Sequence, residues 1–344
     1  MHKLIGIILL FVNALIGEVL TYSELYNNCT IDQQRALHEA NITLNLDSAL
    51  FESLEGGMSN AKPYSFVWKD KRYVLRFLSV NASFEKRASE IMAFKMGECL
   101  DLAPKNIFSD SQNRLIISTY VESIPQELPL NTIAEMIRKL HDYEGDYPVR
   151  LTFNERLKKH YLKVLENGTA LPTGFSEVIE KAIENSKPKN FVPCHGDLNV
   201  NNILMSDRVY FIDWANATPD DPYIDLAYFS SLANLSEHDE YIFLTAYFRR
   251  SPTTLEIKTL HESKALFCLM TAIIWFQFSE NGEDRKIPLD DRVNRLNEEL
   301  NSPQLKSVKD YRNDNKIIHI RTSPTDEIRL FALSNYKAYL DFVK

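Results

Sequence analysis

The chain has 344 residues, of which 44% are hydrophobic and 11% aromatic, so it can bury a large core and form two lobes. Its formal net charge of −8 disfavours a nucleic acid or an anionic membrane surface as a partner and suits a cationic small molecule. Four cysteines without a CxxC pair argue against a zinc site and predict buried free thiols.

The start of the chain has the pattern of a secretory signal peptide or membrane anchor. A single basic residue, Lys3, precedes an apolar run at residues 4–16 that is short for a membrane span. We therefore treat residues 1–20 as a signal-like or anchor segment. A helix that merely packs on the rest of the protein is the alternative. If this segment is not cleaved, it is the part that would meet a membrane.

Residues 50–80 predict three strands joined by two turns. The first turn contains Gly56, Gly57, Ser59 and Asn60. Backbone amides in such a turn can lie beside phosphate groups, where a side chain on either glycine would obstruct them. Taken alone, two glycines between strands more often mark an ordinary hairpin. Arg76 lies on the third strand.

Helical spacing of apolar residues predicts a helix at residues 84–100, which contains Glu90. A β-rich run at residues 114–121 predicts a strand, and residues 131–141 predict an amphipathic helix. Further helices are predicted at residues 153–166, 175–186, 222–235, 237–250, 261–278 and 326–343. Basic side chains near the start of the first of these, including Arg156, have the pattern of a solvated helix face.

The segment 191–228 concentrates the residues that can do chemistry. It predicts a loop, a strand, a turn at residues 206–208, a second strand and another loop. Such a hairpin would bring Asp197, Asn202 and Asp213 around one small volume. Phosphoryl transfer needs a carboxylate near the attacking hydroxyl, and an amide oxygen and a second carboxylate to hold Mg²⁺ on the phosphates.

The motifs in this segment resemble those of a known superfamily. His195-Gly196-Asp197 with Asn202 gives HGDxxxxN, Ile212-Asp213-Trp214 gives IDW, and residues 222–227 give PxxDLA. Together they resemble the aminoglycoside phosphotransferase and choline kinase superfamily, and most closely its bacterial choline and ethanolamine kinases. The resemblance implies an α+β, protein-kinase-like fold with a small antiparallel-sheet lobe and a larger, mainly helical lobe. We expect these lobes at residues 21–121 and 122–344.

The resemblance implies a role for each motif residue. Asp197 would be the catalytic base, His195 would brace the catalytic loop, Asn202 and Asp213 would bind Mg²⁺, and Asp225 would fix the loop backbone. The glycine turn with Ser59 and Asn60 would hold the phosphates of ATP together with Arg76, and Glu90 would pair with Arg76. The backbone of residues 118–121 would contact adenine.

The acceptor is less well defined. Late aromatic residues in choline kinases form a cage for quaternary ammonium, and Trp275 matches that pattern. However, Ala215 stands where choline kinases usually have a glutamate. We expect Asp220, Asp221 and Glu280 to be the acids left to receive a cation. Choline or ethanolamine therefore ranks first as acceptor alcohol, thiamine or another small alcohol second, and an aminoglycoside third.

Two alternatives of another kind remain at this stage. The chain could be a kinase-fold binding module without catalysis, although its motif residues are intact, or it could phosphorylate a protein hydroxyl. An ATP requirement also conflicts with an exported start. Action in the cytoplasm of its own or of a host cell, or an uncleaved anchor, would reconcile the two.

Overall fold

The structure is a computed structural model that describes residues 18–54, 63–110, 112, 114–124, 127–188, 190–313 and 323–343. The chain divides into two compact units. Unit 1 comprises the described parts of Met1–Arg150 and Asp197–Pro219, and unit 2 those of Leu151–Gly196 and Asp220–Lys344. Residues 1–17 of the predicted signal-like or anchor segment 1–20, and the glycine turn with Gly56, Gly57, Ser59 and Asn60, lie outside the described residues. The end of that segment is described, and its last two residues belong to the strand Val19–Thr21.

The first part of unit 1 contains both strands and helices. In chain order they are β1 (Val19–Thr21), α1 (Tyr22–Asn28), α2 (Ile31–Leu44), β2 (Leu50–Ser53), β3 (Pro63–Trp68), β4 (Lys71–Phe77), α3 (Phe84–Cys99), β5 (Asn106–Ser109), β6 (Leu115–Thr119) and α4 (Leu130–His141).

Short strands and 3-10 helices follow the next two helices. They are α5 (Phe153–Glu166), α6 (Phe175–Asn185), β7 (Val192–Cys194), a 3-10 helix at Val200–Asn202, β8 (Ile203–Met205), β9 (Val209–Phe211), a 3-10 helix at Trp214–Asn216 and β10 (Thr218–Asp220). Helices then complete unit 2, namely α7 (Tyr223–Leu232), α8 (Glu237–Phe248), α9 (Thr254–Phe276), a 3-10 helix at Asp284–Lys286, α10 (Leu289–Leu300), α11 (Val308–Asn313) and α12 (Thr325–Val343).

The sheet of unit 1 has six strands in the order β1-β2-β3-β4-β6-β5, and each neighbouring pair is antiparallel. Alternation along β4 buries Tyr73, Leu75 and Phe77, which pack in one hydrophobic cluster with Leu37 of α2. Because strand side chains alternate between faces, Arg76 lies on the opposite face of the sheet. The three strands predicted at residues 50–80 are confirmed.

Helices α1 and α2 do not follow from the periodicity of apolar residues and were not predicted. Each begins with a capping box, in which the N-cap threonine and the residue three positions later exchange hydrogen bonds. The pairs are Thr21 with Glu24 and Thr30 with Gln33. This [ST]-x-x-[EQ] pattern was the available signal. The same device explains why α9 begins at Thr254, before the predicted start at His261, because Thr253 and Glu256 cap it.

Unit 2 is built on one hydrophobic cluster that includes buried residues of α5, α6, α9 and α12. Phe175, Phe276 and Tyr336 meet there, with ring centroids 5.5 Å and 4.6 Å from that of Phe175. Within the described parts of the chain, no helix is long and apolar enough to cross a membrane. None of the four cysteines, all of which lie among the described residues, forms a disulfide, and Cys194 and Cys268 are buried, so the prediction of buried thiols holds for these two.

The predicted lobe boundary after residue 121 differs from the division into compact units. Residues 122–150 and the β8–β9 hairpin belong to unit 1, and backbone hydrogen bonds link the hairpin both to residue 124 and to the segment between α3 and β5. Ile124 N–H donates to the Met205 carbonyl at 2.7 Å, and Phe211 N–H donates to the Leu102 carbonyl at 2.6 Å. The hairpin that carries the metal-binding candidates therefore belongs to unit 1.

Trp214 packs directly against α3 and fixes the chain next to Asp213. Its side chain is fully buried, and its indole N–H donates to the Phe211 carbonyl at 3.1 Å. A Cβ atom placed on Gly97 would lie 2.5 Å from the Trp214 ring. Glycine is therefore required at residue 97 for the ring to approach the helix this closely.

We expect Gly97→Ala to lower the free energy of unfolding by about 1–3 kcal/mol through overpacking, despite a helix-propensity gain of up to about 1 kcal/mol. Urea denaturation would measure this. Gly282→Ala is the matched control, because no atom lies within 4 Å of its added Cβ. Its expected change is within about 0.5 kcal/mol. Equal stability of the two variants would contradict this view of the Trp214 contact.

Candidate active site

Arg76 on β4 and Glu90 on α3 form an ion pair with an Nη2–Oε1 distance of 2.5 Å, as the sequence predicts. The Arg76 side chain is 26% exposed and that of Glu90 10% exposed. Burial lowers the pKa of Arg76, but the nearby carboxylates of Glu90 and Asp213 outweigh burial, so its pKa is raised. The guanidinium is therefore a fixed positive charge at this end of the sheet.

Asp213 is the second acidic neighbour of Arg76, with an Oδ1–Nη1 distance of 3.8 Å. Its backbone is left-handed, with φ 61° and ψ 66°. Aspartate tolerates this conformation better than most residues, although it still costs roughly 1–3 kcal/mol. The carboxylate remains 41% exposed, so it can still bind a ligand.

Asn202 is hydrogen-bonded to Asp197 and to the residue that precedes Asp213. Its Nδ2 donates to the Asp197 carbonyl at 2.9 Å, so its Oδ1 is the atom that can bind a metal. Its own carbonyl accepts the N–H of Ile212 at 2.9 Å, and Ile212 precedes Asp213. The Asp197 carboxylate accepts a hydrogen bond from Asn199 Nδ2 at 3.1 Å. Unit 1 thus brings Asp197, Asn202 and Asp213 into one hydrogen-bonded segment.

The backbone just before Asp197 is held by Asp225, which is fully buried. Asp225 Oδ2 accepts the N–H of His195 and its Oδ1 accepts that of Gly196, both at 2.8 Å. The sequence predicts this contact. Gly196 has φ +74°, a left-handed conformation that glycine adopts without strain. His195 itself is fully buried in unit 2, which is compatible with a bracing role.

Most of the residues predicted to bind substrate are buried or already hydrogen-bonded to the backbone. Asp220 is 1% exposed, and its carboxylate accepts the N–H groups of Phe153 at 2.5 Å and Asp221 at 2.9 Å. Burial raises the pKa of Asp220, while these hydrogen bonds and the charge of Arg156 lower it by less. A buried carboxylate with this many internal contacts is poorly placed to receive a cation. Asp221 is partly exposed, and its Oδ1 accepts the N–H of Tyr223 at 3.1 Å.

Trp275 and Glu280 are also engaged within unit 2. The Trp275 ring is 9% exposed and meets Phe331 edge-on, with centroids 4.9 Å apart. Glu280 forms a buried ion pair with Arg292 at 2.6 Å. This corrects the expectation that Glu280 is an acid left to receive a cation. The cage role of Trp275 stays a prediction, and its burial weighs against it.

The predicted adenine-binding backbone, residues 118–121, is partly occupied by sheet hydrogen bonds. Thr119 N–H donates to the Lys105 carbonyl at 2.9 Å, and Tyr120 N–H donates to the Arg72 carbonyl at 3.1 Å. An adenine contact would therefore use carbonyls or the N–H of Val121. A cavity of about 360 Å³ opens beside this segment, and it is lined by Lys71, Arg72, Tyr73, Thr119, Tyr120 and Glu122.

Arg156 lies in surroundings that its sequence pattern did not predict. Instead of facing solvent, it is partly buried, and its Nη1 donates to the Gly196 carbonyl at 3.2 Å. No local pattern could have indicated this, because the contact joins residues 40 positions apart. Lys158 and Lys159 on the same helix are exposed, as predicted.

The donor set suits a hard divalent cation. The Asn202 amide oxygen and the Asp213 carboxylate are the oxygen ligands that Mg²⁺ prefers, and unit 1 holds them at the open end of one hairpin. The Asp197 carboxylate precedes that hairpin, and the positive charge of Arg76 lies beside Asp213. Chemically, this arrangement can bind a metal-complexed anion such as a nucleotide polyphosphate next to a carboxylate that accepts a proton.

The sheet, the Arg76–Glu90 pair and the segment from Asp197 to Asp213 together define a protein-kinase-like fold. The chain belongs to the phosphotransferase enzyme family, and a sequence model of that family matches residues 51–256, which is more than half of the chain. The fold class and the family resemblance predicted from the sequence are thereby confirmed.

Particular relatives extend this result. The chain is 28% identical over 153 residues to the Protein LicA homolog of Mycoplasma capricolum subsp. capricolum, over 43% of this chain and 62% of the relative. The match therefore spans less than two thirds of that relative's length. The crystal structure of choline kinase LicA from Streptococcus pneumoniae has a TM-score of 0.56 at 21% identity, over 77% of this chain and 97% of that chain. A crystal structure of LicA in complex with AMP has a TM-score of 0.55 at 22% identity, over 75% of this chain and 95% of that chain. At these identities, the two structures show a shared fold.

Removing the Asp225 carboxylate should destabilise the protein. In Asp225→Ala, the N–H groups of His195 and Gly196 lose their buried acceptor, and each loss costs about 1–3 kcal/mol. We expect a total loss of about 2–5 kcal/mol in urea denaturation. The control is Asp326→Ala, which removes an exposed carboxylate on α12 and should change stability by less than about 0.5 kcal/mol. Similar midpoints for both variants would refute the bracing role of Asp225.

Proposed function

We propose that this protein is an ATP- and Mg²⁺-dependent phosphotransferase that phosphorylates the hydroxyl group of a small, cationic molecule. The observation that carries the proposal is the position of Arg76, whose guanidinium pairs with Glu90 and lies 3.8 Å from Asp213. A basic strand residue that is fixed by a helix glutamate and adjacent to a metal-binding aspartate is the arrangement that orients nucleotide phosphates in kinases.

Asp197 is the residue assigned to the acceptor. Its carboxylate accepts or orients the proton of the acceptor hydroxyl as the oxygen attacks the γ-phosphorus. The new bond joins that oxygen to phosphorus, and the bond between phosphorus and the β–γ bridging oxygen breaks. The products are ADP and a phosphate monoester, and the proton passes to Asp197 and then to solvent. The backbone contacts of Gly196 and Asn202 hold the segment from which this carboxylate projects.

Asn202 and Asp213 are the residues assigned to Mg²⁺. When bound, the ion neutralises part of the negative charge on the nucleotide phosphates. The hydrogen bond from Asn202 Nδ2 to Asp197 keeps Oδ1 as the ligand atom. Arg76 adds a fixed positive charge beside Asp213, so it opposes the repulsion between this carboxylate and the phosphates. An adenine nucleotide as donor is supported by the related crystal structure of LicA, which is a complex with AMP.

The acceptor class rests mainly on the relatives. The related structure from Streptococcus pneumoniae is described as a choline kinase, and choline carries both a hydroxyl and a positive charge. The net charge of −8 is compatible with such a substrate. Of the acids predicted to receive the cation, Asp221 is the one that remains partly exposed. Choline or ethanolamine is therefore the acceptor we propose, ahead of thiamine or an aminoglycoside.

Asp197→Ala should abolish turnover while leaving nucleotide binding largely unchanged. Loss of a general base typically lowers the rate by about 10²–10⁴-fold. Steady-state ADP release and equilibrium binding of a fluorescent ATP analogue would separate the two effects. Asp207→Ala is the matched control, because Asp207 is exposed at the tip of the same hairpin and should retain full activity. Full activity in Asp197→Ala would overturn the assignment.

A panel of acceptor alcohols tests the reaction and its substrate class together. ADP release would be measured with choline, ethanolamine, thiamine and an aminoglycoside, with and without EDTA, using protein that lacks residues 1–17, so that strand β1 is kept. We expect the highest kcat/KM with choline or ethanolamine, and loss of all activity when EDTA removes Mg²⁺. Turnover of the aminoglycoside alone would reassign the acceptor. No turnover together with no Mg²⁺-dependent nucleotide binding would instead favour a binding module.

A further inference from the structure

Arg156 contacts the catalytic loop from the first turn of α5. Its Nη1 donates to the carbonyl of Gly196 at 3.2 Å. Among the described residues, its Nε and Nη2 atoms are buried and have no hydrogen-bond partner. The bond to Gly196 is therefore the hydrogen bond that this guanidinium makes among the described residues of unit 2, and the Asp220 carboxylate acts on it electrostatically. Holding a partly buried guanidinium with two unpaired nitrogens is costly, so a role for this contact is expected.

Two charged side chains hold Gly196 from both sides. Asp225 accepts its N–H at 2.8 Å, and Arg156 donates to its carbonyl. Because the peptide group is planar, the Gly196 carbonyl lies in the same plane as the N–H of Asp197. Fixing that carbonyl therefore fixes the direction in which the chain enters Asp197. Gly196 has a left-handed φ, which glycine adopts without strain. Because glycine restricts its own backbone less than any other residue, contacts from other side chains matter most for fixing the chain here.

The helix that carries Arg156 is itself anchored beside the loop. Asp220 Oδ2 accepts the N–H of Phe153, the first residue of α5, at 2.5 Å. Thr152 caps the same helix through a reciprocal hydrogen-bond pair with Glu155. The charge of Arg156 acts on the Asp220 carboxylate and lowers its pKa against the larger effect of burial, which raises it. Asp220 thus holds the start of α5, and α5 presents Arg156 to the loop.

We propose that Arg156 is a positioning residue for phosphoryl transfer, which orients Asp197 through the carbonyl of Gly196. The kinetic effect of this residue rests on the proposed function, whereas its restraint on the Gly196 backbone does not. A guanidinium suits this task because it cannot be deprotonated and makes a charge-assisted bond to a carbonyl oxygen. A small misplacement of a catalytic group can lower the rate by about 10²-fold without weakening substrate binding.

The kinetic test compares Arg156→Ala, Arg156→Lys and Lys158→Ala in the full chain. We expect Arg156→Ala to lower kcat about 10–100-fold, with KM for ATP and for the acceptor changing by less than about 3-fold. Arg156→Lys retains a charged donor and should recover part of the loss. Lys158→Ala removes an exposed charge from the same helix and should behave as wild type. The pH dependence of kcat/KM should keep its wild-type shape, because the substitution removes no group that is proposed to touch substrate or metal.

A second readout does not require activity. Hydrogen–deuterium exchange of the peptide covering residues 194–202 should be faster in Arg156→Ala than in wild type, and unchanged in Lys158→Ala. Urea denaturation would identify a variant that is simply unfolded, and Arg156→Lys then serves as the informative variant. Unchanged exchange of this peptide in a folded Arg156 variant would overturn the proposal. The proposal would also be overturned if Arg156→Ala raised KM and left kcat unchanged. An inactive wild type with the expected exchange pattern would instead overturn the proposed function alone.

Discussion

The organisation of unit 1 depends on the ion pair between Arg76 and Glu90. A guanidinium that is only 26% exposed needs a nearby anion, because a buried unpaired charge destabilises a fold strongly. Glu90 supplies that anion from α3, and the pair ties this helix to β4. The positive charge then also lies near Asp213, which is the candidate ligand for the metal. Through these two ion pairs, Arg76 connects the sheet, the helix and the hairpin that carries the candidate metal ligands.

The residues around Gly196 and Asn202 divide into those that hold the backbone and those that present side chains. Asp225 and Arg156 bind the N–H and the carbonyl of Gly196, and the polar atoms that these two contacts leave over are buried. Asn202 combines both tasks, because its Nδ2 holds the Asp197 carbonyl while its Oδ1 can bind a metal. This division has a physical reason. A polar atom that must bind a phosphate or a hydroxyl cannot also satisfy a buried polar group of the backbone. In Asn202 the two tasks therefore fall to two different atoms.

The sequence predicted the features that depend on residues close together along the chain or on recognisable motifs. The β8–β9 hairpin follows from turn residues and β-branched residues, and the backbone contacts of Asp225 and the partner of Arg76 follow from the resemblance. Residues whose surroundings are set by distant parts of the chain were misjudged. Arg156 has the local pattern of a solvated helix face, and only the approach of the Gly196 loop buries it. Likewise, Glu280 is an acid in the sequence, but its charge is neutralised by Arg292.

The positions of Trp275, Asp220 and Asp221 bear on which side chains could recognise the proposed acceptor. A quaternary ammonium is attracted to exposed aromatic faces, whereas a primary ammonium also needs hydrogen-bond acceptors. The Trp275 ring is mostly buried against Phe331, and the Asp220 carboxylate already accepts the N–H groups of Phe153 and Asp221, so the burial of both side chains weighs against contact with a cation. Asp221 retains a partly exposed carboxylate at the start of α7, although one of its oxygens holds the Tyr223 N–H. If choline or ethanolamine is the acceptor, as we propose, Asp221 is a better candidate for contacting its cation than Asp220 or Glu280, whose carboxylates are held by internal contacts of unit 2.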